Sequence, residues 1–363
     1  METNLRRTPL FAAHQKLKAR LVDFAGWEMP VLYNGILEEA RAVRSHAGIF
    51  DISHMGRIQV TGQGATAMLQ ELTSNDIADL SPSEAQYSLL TNPNGGIIDD
   101  IIVYRAGDED YLVVINASNT EKDLAWIAQY TPPMVRVEDH TLETAMIAVQ
   151  GPHAPALIAE IAGRPDLLDL GRFQYVVGEI GGLPATFCRT GYTGEDGFEV
   201  IVPAAQAENL WDALLKGGAA ACGLGSRDAL RIEAGYPLYG HEIDDTTSPA
   251  EAGLMWVVKM DKANFIGRDK IAAAKSNPAV RRLVGLVTQE RIQPRQGYTI
   301  LVGDEPVGEV TSGIFSPAKG TSIAMGYVLA RYAKTGTSVE IAIRDRRAAA
   351  TVVPKKNLLA QTG

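Results

Sequence analysis

Residues 87–105 read Y-S-L-L-T-N-P-N-G-G-I-I-D-D-I-I-V-Y-R, two apolar runs separated by Asn92, Pro93, Asn94, Gly95 and Gly96. Asn and Gly tolerate positive φ, so the N-P-N-G-G segment reads as a hairpin turn and the runs beside it as antiparallel neighbours. That separates the chain from a doubly wound parallel sheet. Working outward, strands are expected over 56–62, 87–91, 97–105 and 111–116, and helices over 64–72 and from Ser118 or Asn119 to about Tyr130. The alternation continues with strands over 144–150, 185–190 and 198–203 and helices over 153–161 and 205–215. Upstream, Thr8 and Pro9 read as an N-cap and a first-turn proline. They open a helix to about Leu21, with Leu10, Phe11, His14, Leu17 and Leu21 at helical spacing. From about Val280 the chain becomes short strands (283–288, 299–302, 305–311, 323–329, 338–343, 348–353) with turns rich in Gly, Pro and Asp, the pattern of an antiparallel barrel or jelly roll. The fold class is α+β, with a domain boundary near residue 275.

A length of 363 residues allows two or three domains, and 46% hydrophobic with 21% charged residues is enough to bury substantial cores. A formal charge of -9 argues against a general nucleic-acid binder, which carries a basic footprint. The two cysteines, Cys188 and Cys222, make no disulfide framework and fit a reducing, cytoplasmic compartment. No apolar run approaches membrane-spanning length, and M-E-T-N-L-R-R does not begin a signal peptide. The six histidines show no metal-ligand spacing, and no metal is expected.

Several segments set polar groups where a strand or helix should be apolar. A carboxylate at a half-buried strand position must be paired or must meet a ligand, because desolvating it alone costs more than the neighbouring isoleucines return. Asp99 and Asp100 are such residues. Strand side chains alternate, so only one of the two can enter a given cavity; the plainer alternative is that both cap the hairpin or face water. The segment R-T-G-Y-T-G-E-D-G-F-E (189–199) has glycines at Gly191, Gly194 and Gly197 for a tight turn and places Glu199 inside the next strand. In G-S-R-D-A-L-R-I-E (225–233), Arg227, Asp228, Arg231 and Glu233 could equally be helix ion pairs. The adjacent Asp, Ser and His of D-I-S-H-M (51–55) are expected to pack and bond locally, not to form a triad. Gly62-x-Gly64-x-x-Ala67 matches a dinucleotide fingerprint only by accident, since its surroundings are antiparallel.

Together with W-E-M-P (27–30), F-D-I-S-H-M-G (50–56), G-L-G-S-R-D-A-L-R-I-E-A-G-Y (223–236) and V-T-S-G-x-x-S-P (310–317), these segments resemble the T-protein family of the glycine cleavage system. That family comprises the tetrahydrofolate-dependent aminomethyltransferases, and the resemblance runs in order from about Thr8 to about Arg344. It implies two interleaved α+β domains (1–52 with 138–226, and 53–137 with 227–275) and a C-terminal β-barrel (276–363) around a central folate cavity. It assigns Asp100 as the catalytic residue beside the folate N5, with Tyr87, Val114, Asn116 and Met55 lining the same pocket. Glu199 matches the pterin-binding glutamate: a carboxylate accepts two parallel hydrogen bonds from the N-H donors of a 2-amino-4-oxo edge. Tyr192 is implied as an aromatic wall, Arg227 and Tyr236 as folate-site residues, and Arg295 as a contact for the lipoyl carrier at the cavity mouth. The implied reaction needs tetrahydrofolate as substrate and the lipoylated H-protein as partner, with no metal, nucleic acid or membrane. The C-terminal end departs from the family: T-V-V-P-K-K-N-L-L-A-Q-T-G replaces a Pro-Phe ending, so neither Pro354 nor Lys355 is assigned to the folate tail. Two rivals keep the fold. One is a folate-dependent demethylase of methylated amines or sulfonium compounds. The other is a non-catalytic folate-binding protein of iron-sulfur assembly, whose K-G-C-Y-x-G-Q-E is here R-T-G-Y-T-G-E-D.

Overall fold

The structure, a computed structural model, describes residues 5–277 and 281–358. The sequence readings that touch residues 1–4, 278–280 and 359–363 lie outside the described residues. The chain forms two compact units, one of Met1–Leu72, Asp76–Ser88 and Asp100–Arg227, the other of Thr73–Asn75, Leu89–Asp99 and Asp228–Gly363.

The first unit is organised by a six-stranded sheet in the order Tyr175–Ile180, Leu183–Cys188, Gly197–Pro203, Thr144–Gln150, Gly48–Asp51, Ala220–Ala221. The helices Ala154–Ala162 and Ala207–Lys216 cover it, burying Ile158, Leu210, Trp211 and Leu214 against Ile147 and Val149 of the central strand. Each such aliphatic side chain contributes about 1.5–3 kcal/mol by leaving water. Because strand side chains alternate, Phe198, Val200 and Val202 fill this helix-covered core while Glu199 between them points to the opposite face.

A second, five-stranded sheet has the order Ala85–Thr91, Ile97–Gly107, Asp110–Ile115, Gly56–Thr61, Arg136–Asp139. The hairpin expected at 92–96 is present. Asn92 accepts the Gly95 N-H on its carbonyl at 2.9 Å, and its side-chain oxygen accepts the N-H groups of Asn94 and Gly96, while Gly95 turns at φ 81°. Gly56–Thr61 runs antiparallel to both Asp110–Ile115 and Arg136–Asp139, so the Gly62-x-Gly64 segment sits in no parallel βαβ unit.

One expectation fails. The helix read over 9–21 spans only Phe11–Lys16, and Arg20–Phe24 pairs as a hairpin with Trp27–Leu32. Ala25 and Gly26, at φ 53° and 78°, supply a two-residue turn, and the Asp23 side chain accepts the Gly26 N-H. Strand pairing thereby outcompetes a helical periodicity whose fourth member, Leu17, lies exposed.

In the second unit six strands close into a barrel in the order Arg281–Thr288, Thr321–Leu329, Glu305–Ser316, Thr299–Val302, Ser338–Ile343, Arg346–Val353, the last pairing back to the first. Closure leaves no free edge and settles the choice between barrel and jelly roll. Val284, Leu286, Ile300, Val310, Val328 and Val352 fill the interior. The strand expected over 305–311 continues to Ser316, with a bulge between Val310 and Ser312.

Candidate functional site

Within the first unit the sequence-selected residues gather at two places. At the first, Asp100 lies half-buried with a donor on each carboxylate oxygen: Asn116 Nδ2 on Oδ1 at 2.9 Å and the Tyr87 hydroxyl on Oδ2 at 3.0 Å. Asn116 Nδ2 also donates to the Asp100 carbonyl at 3.1 Å, so backbone and side chain are tied to the same amide. The strand register makes this possible. Ile102 pairs with Val114, which brings the residue after Ile115 level with Asp100. Val114 is buried at 5% exposure, and Met55 is half-buried in the loop after Gly48–Asp51.

That loop is braced by a buried cation. Arg57 donates to the carbonyls of Ser53, Met55, Thr141 and Thr144 and to Thr144 Oγ1, and burial lowers its pKa to about 10. Asp51 is buried on the other side of the loop. It accepts Thr8 Oγ1 at 2.6 Å, His14 Nε2 at 2.8 Å and the Ser53 N-H at 2.9 Å. Burial alone would raise its pKa, but the hydrogen bonds and charge of His14, with those from Ser53 and Thr8, bring it down to about 2. Of these bonds only the one from the Ser53 N-H is local, whereas Thr8 and His14 reach Asp51 across 43 and 37 residues, and among the described residues Asp51, Ser53 and His54 form no triad. His54 is 3% exposed, packs edge-on against Phe24, and its Nδ1 has no partner among the described residues.

At the second place, Glu199 is 8% exposed and accepts Thr190 Oγ1 on Oε2 at 2.6 Å, while Oε1 has no hydrogen bond among the described residues. Thr190 Oγ1 lies 3.1 Å from the Tyr104 hydroxyl, whose pKa burial raises. The other carboxylates of the glycine-rich loop are neutralised: Glu195 pairs with Arg44 at 2.9 Å and Asp196 with Arg189 at 2.7 Å. Gly191 leaves room for the Gln150 side chain, since a Cβ on it would lie 1.9 Å from Gln150 Oε1. Arg227 stacks over the Tyr192 ring at 4.9 Å, its Nη1 is buried without a partner among the described residues, and burial lowers its pKa against the opposing charge of Glu199. A charged donor and an open carboxylate oxygen in one region can hold a polar ring that offers both N-H and acceptor atoms.

Thr190 and Tyr104 lie inside the two quoted segments but were not singled out there, because nothing local shows that they meet. Asp99 differs from the plainer reading. It is fully buried in the second unit rather than facing water, and its charge contributes to the raised pKa of Tyr239, whose largest cause is burial. The other residues assigned to the site from the second unit are Tyr236, half-buried, and Arg295, exposed. Arg295 lines a groove of about 440 Å³ with Tyr298, Arg344 and Arg346. The helix ion-pair reading holds for Arg231, which bonds Asp228 at 2.8 Å and Glu242 at 2.7 Å, and does not extend to Arg227. Among the described residues no group of three or more His, Cys, Asp or Glu could hold a metal ion, and no helix is long and apolar enough to cross a membrane.

Comparison with known proteins gives the family of the chain. Residues 10–262 match the family model of the GCVT N-terminal domain, and residues 281–357 that of the glycine cleavage T-protein C-terminal barrel domain. The aminomethyltransferase of Synechococcus elongatus is 44% identical over 357 residues, covering 97% of this chain and 96% of the relative. That of Geobacillus kaustophilus is 45% identical over 356 residues, covering 96% and 98%. The crystal structure of glycine cleavage system aminomethyltransferase T from Bartonella henselae matches with a TM-score of 0.90 at 36% identity, over 96% of this chain and 97% of that one. From the glycine-rich loop to the closed barrel, the chain belongs to the glycine cleavage T-protein family, the aminomethyltransferases.

Proposed function

We propose that the chain transfers the one-carbon unit of an aminomethyl-lipoyl carrier, the H-protein, to tetrahydrofolate, at a site built on Asp100 and Glu199. The enzyme is a tetrahydrofolate-dependent aminomethyltransferase of glycine cleavage. In the reaction the carbon loses its bonds to nitrogen and sulfur and gains bonds to N5 and N10. The two folate N-H protons leave on ammonia and on the lipoyl thiol, and 5,10-methylenetetrahydrofolate results. Orientation and a fixed negative charge beside developing cationic character are what such a transfer needs from protein.

The observation that carries the reading is the Asp100 carboxylate, held on both oxygens by Asn116 and Tyr87 and still half-exposed. Glu199, with Oε1 open, accepts from the pterin edge; Arg227 and Tyr192 take its polar rim and ring face; Met55 and Val114 are further lining. Tyr87 and Asn116 reach the folate largely through Asp100. Arg295, in its arginine-lined groove, is assigned to the carrier. The division of the first 275 residues into two interleaved α+β domains belongs to the same reading, as does a cytoplasmic location, which the free, buried thiols of Cys188 and Cys222 support.

Ammonia release from aminomethylated lipoyl carrier, measured with tetrahydrofolate present and absent, tests the assignment. Folate-dependent ammonia release is expected. Methyl transfer from an amine or sulfonium donor, without ammonia release from the carrier, would instead establish the demethylase reading.

A further inference from the structure

Glu39 is a helix residue by sequence and a buried anion by structure, at 2% exposure and with no ion pair among the described residues. Its charge is met entirely by neutral donors. Oε1 accepts the backbone N-H groups of Tyr33, Asn34 and Gly35 at 2.7, 3.1 and 3.2 Å. Oε2 accepts the Gly223 N-H at 2.9 Å and lies 2.9 Å from Ser226 Oγ, which also reaches the Gly223 carbonyl at 2.8 Å. Neutral hydrogen bonds to an ionised acceptor are roughly twice as strong as those between neutral groups, so this cage is a rigid joint.

What the joint holds is the start of the helix Leu224–Ala234. The Gly223 carbonyl accepts the Arg227 N-H at 3.1 Å, the first bond of that helix, so Arg227 is one backbone hydrogen bond away from the residue Glu39 grips. The turn also packs closely on the strand Trp27–Leu32, since a Cβ on Gly223 would lie 2.4 Å from the Val31 carbonyl carbon. A carboxylate at a helix N-terminus is further favoured by the helix dipole. Arg227, in this anchored first turn, lies over the Tyr192 ring at 4.9 Å with an Nη1 that has no partner among the described residues.

We infer that Glu39 is a positioning residue for Arg227, acting on folate affinity through the first turn of Leu224–Ala234. The inference rests on the assignment of Arg227 to the folate site. In Glu39→Gln the amide must present a donor to at least one of the donors it faces, so the turn loosens. Tetrahydrofolate Kd and KM are expected to rise about tenfold with kcat changed by less than about twofold, the size of one unpaired hydrogen-bonding group. Ser226→Ala, which leaves the Tyr33 to Gly35 side intact, is expected to give a smaller rise of the same kind and substitutes for Glu39→Gln should that variant not fold.

The experiment is a double-mutant cycle by calorimetry on the full chain with tetrahydrofolate. In an Arg227→Ala background, either substitution should move Kd by less than about twofold, because the group it positions is gone. Equal rises in both backgrounds, or no rise in the wild-type background, would overturn the positioning role while leaving Arg227 in the folate site. Arg227→Ala with an unchanged Kd would overturn both that assignment and the inference built on it.

Discussion

Replacing Glu199 by Gln changes one atom of a side chain whose two oxygens do different work. Oε2 accepts the Thr190 hydroxyl at 2.6 Å, and Oε1 is the atom open to a pterin edge. If the amide keeps its oxygen toward Thr190, its NH2 faces the N-H donors of the pterin. If it flips, the NH2 meets Thr190, which must then turn its own proton toward Tyr104 at 3.1 Å, and the pterin retains one acceptor where it had two. Either orientation leaves at least one buried donor unmatched, at about 1–3 kcal/mol. That corresponds to a rise in tetrahydrofolate Kd of roughly 5- to 150-fold. The fold should survive, because Glu199 lies on the sheet face opposite the helix-packed core. Isothermal titration with tetrahydrofolate reads the effect, with Thr190→Val as a companion that should weaken binding less. An unchanged Kd for Glu199→Gln would remove this residue from the pterin site and refute the reasoning from its open oxygen.

Tyr87→Phe and Asn116→Ala each remove one donor from Asp100 and should lower kcat about tenfold with a smaller change in folate affinity; a loss confined to affinity would return them to simple pocket lining. His54 gives a stability test. Burial, opposed by Asp51 and reinforced by Arg227 and Arg57, holds its imidazole down to about 4 against an ordinary 6.5. The folded state therefore keeps it neutral while the unfolded chain takes up a proton below about 6.5. The resulting stability is complete above that pH and falls by at most ~3 kcal/mol as pH drops toward about 4. Urea unfolding of wild type and His54→Gln across this window checks it, and identical slopes for the two proteins would dismiss it. Asp51 has the lower window: its depressed pKa gives stability that is lost only as pH falls from about 4 toward about 2, so Asp51→Asn should blunt unfolding there and, by removing the charge that holds the His54 pKa up, extend the His54 window to lower pH.

The parts of the fold legible in sequence were those determined by neighbours in the chain. The N-P-N-G-G turn is closed by hydrogen bonds from Asn94, Gly95 and Gly96 to Asn92, and the C-terminal strands announce a barrel by their spacing. Where two local signals competed, the reading failed. The helical spacing of Leu10, Phe11, His14, Leu17 and Leu21 masked the Ala25-Gly26 turn, although the turn decides the pairing of Arg20–Phe24 with Trp27–Leu32. Alternation correctly separated Asp99 from Asp100 but could not say which is the more buried, since that depends on what the rest of each unit brings to either face. Thr190 reaches Tyr104 across 86 residues, and Glu39 reaches Gly223 across 184, so neither partnership has any local trace. In sequence Glu39 is merely the second glutamate of an ordinary first helical turn.

The central claim is that one carboxylate of the Asp99-Asp100 pair takes part in the transfer and the other does not. Asp100→Asn keeps the shape that Asn116 and Tyr87 grip while deleting the charge, and Asp99→Asn makes the same change at a fully buried position. Aminomethyl transfer from the lipoyl carrier, followed as 5,10-methylenetetrahydrofolate formed per folded enzyme, should fall on the order of 10²-fold or more for Asp100→Asn at near-native folate affinity. For Asp99→Asn the rate per folded molecule should stay near wild type, with any loss appearing in Tm. Equal losses in rate for the two variants, or a greater loss at Asp99, would contradict the account.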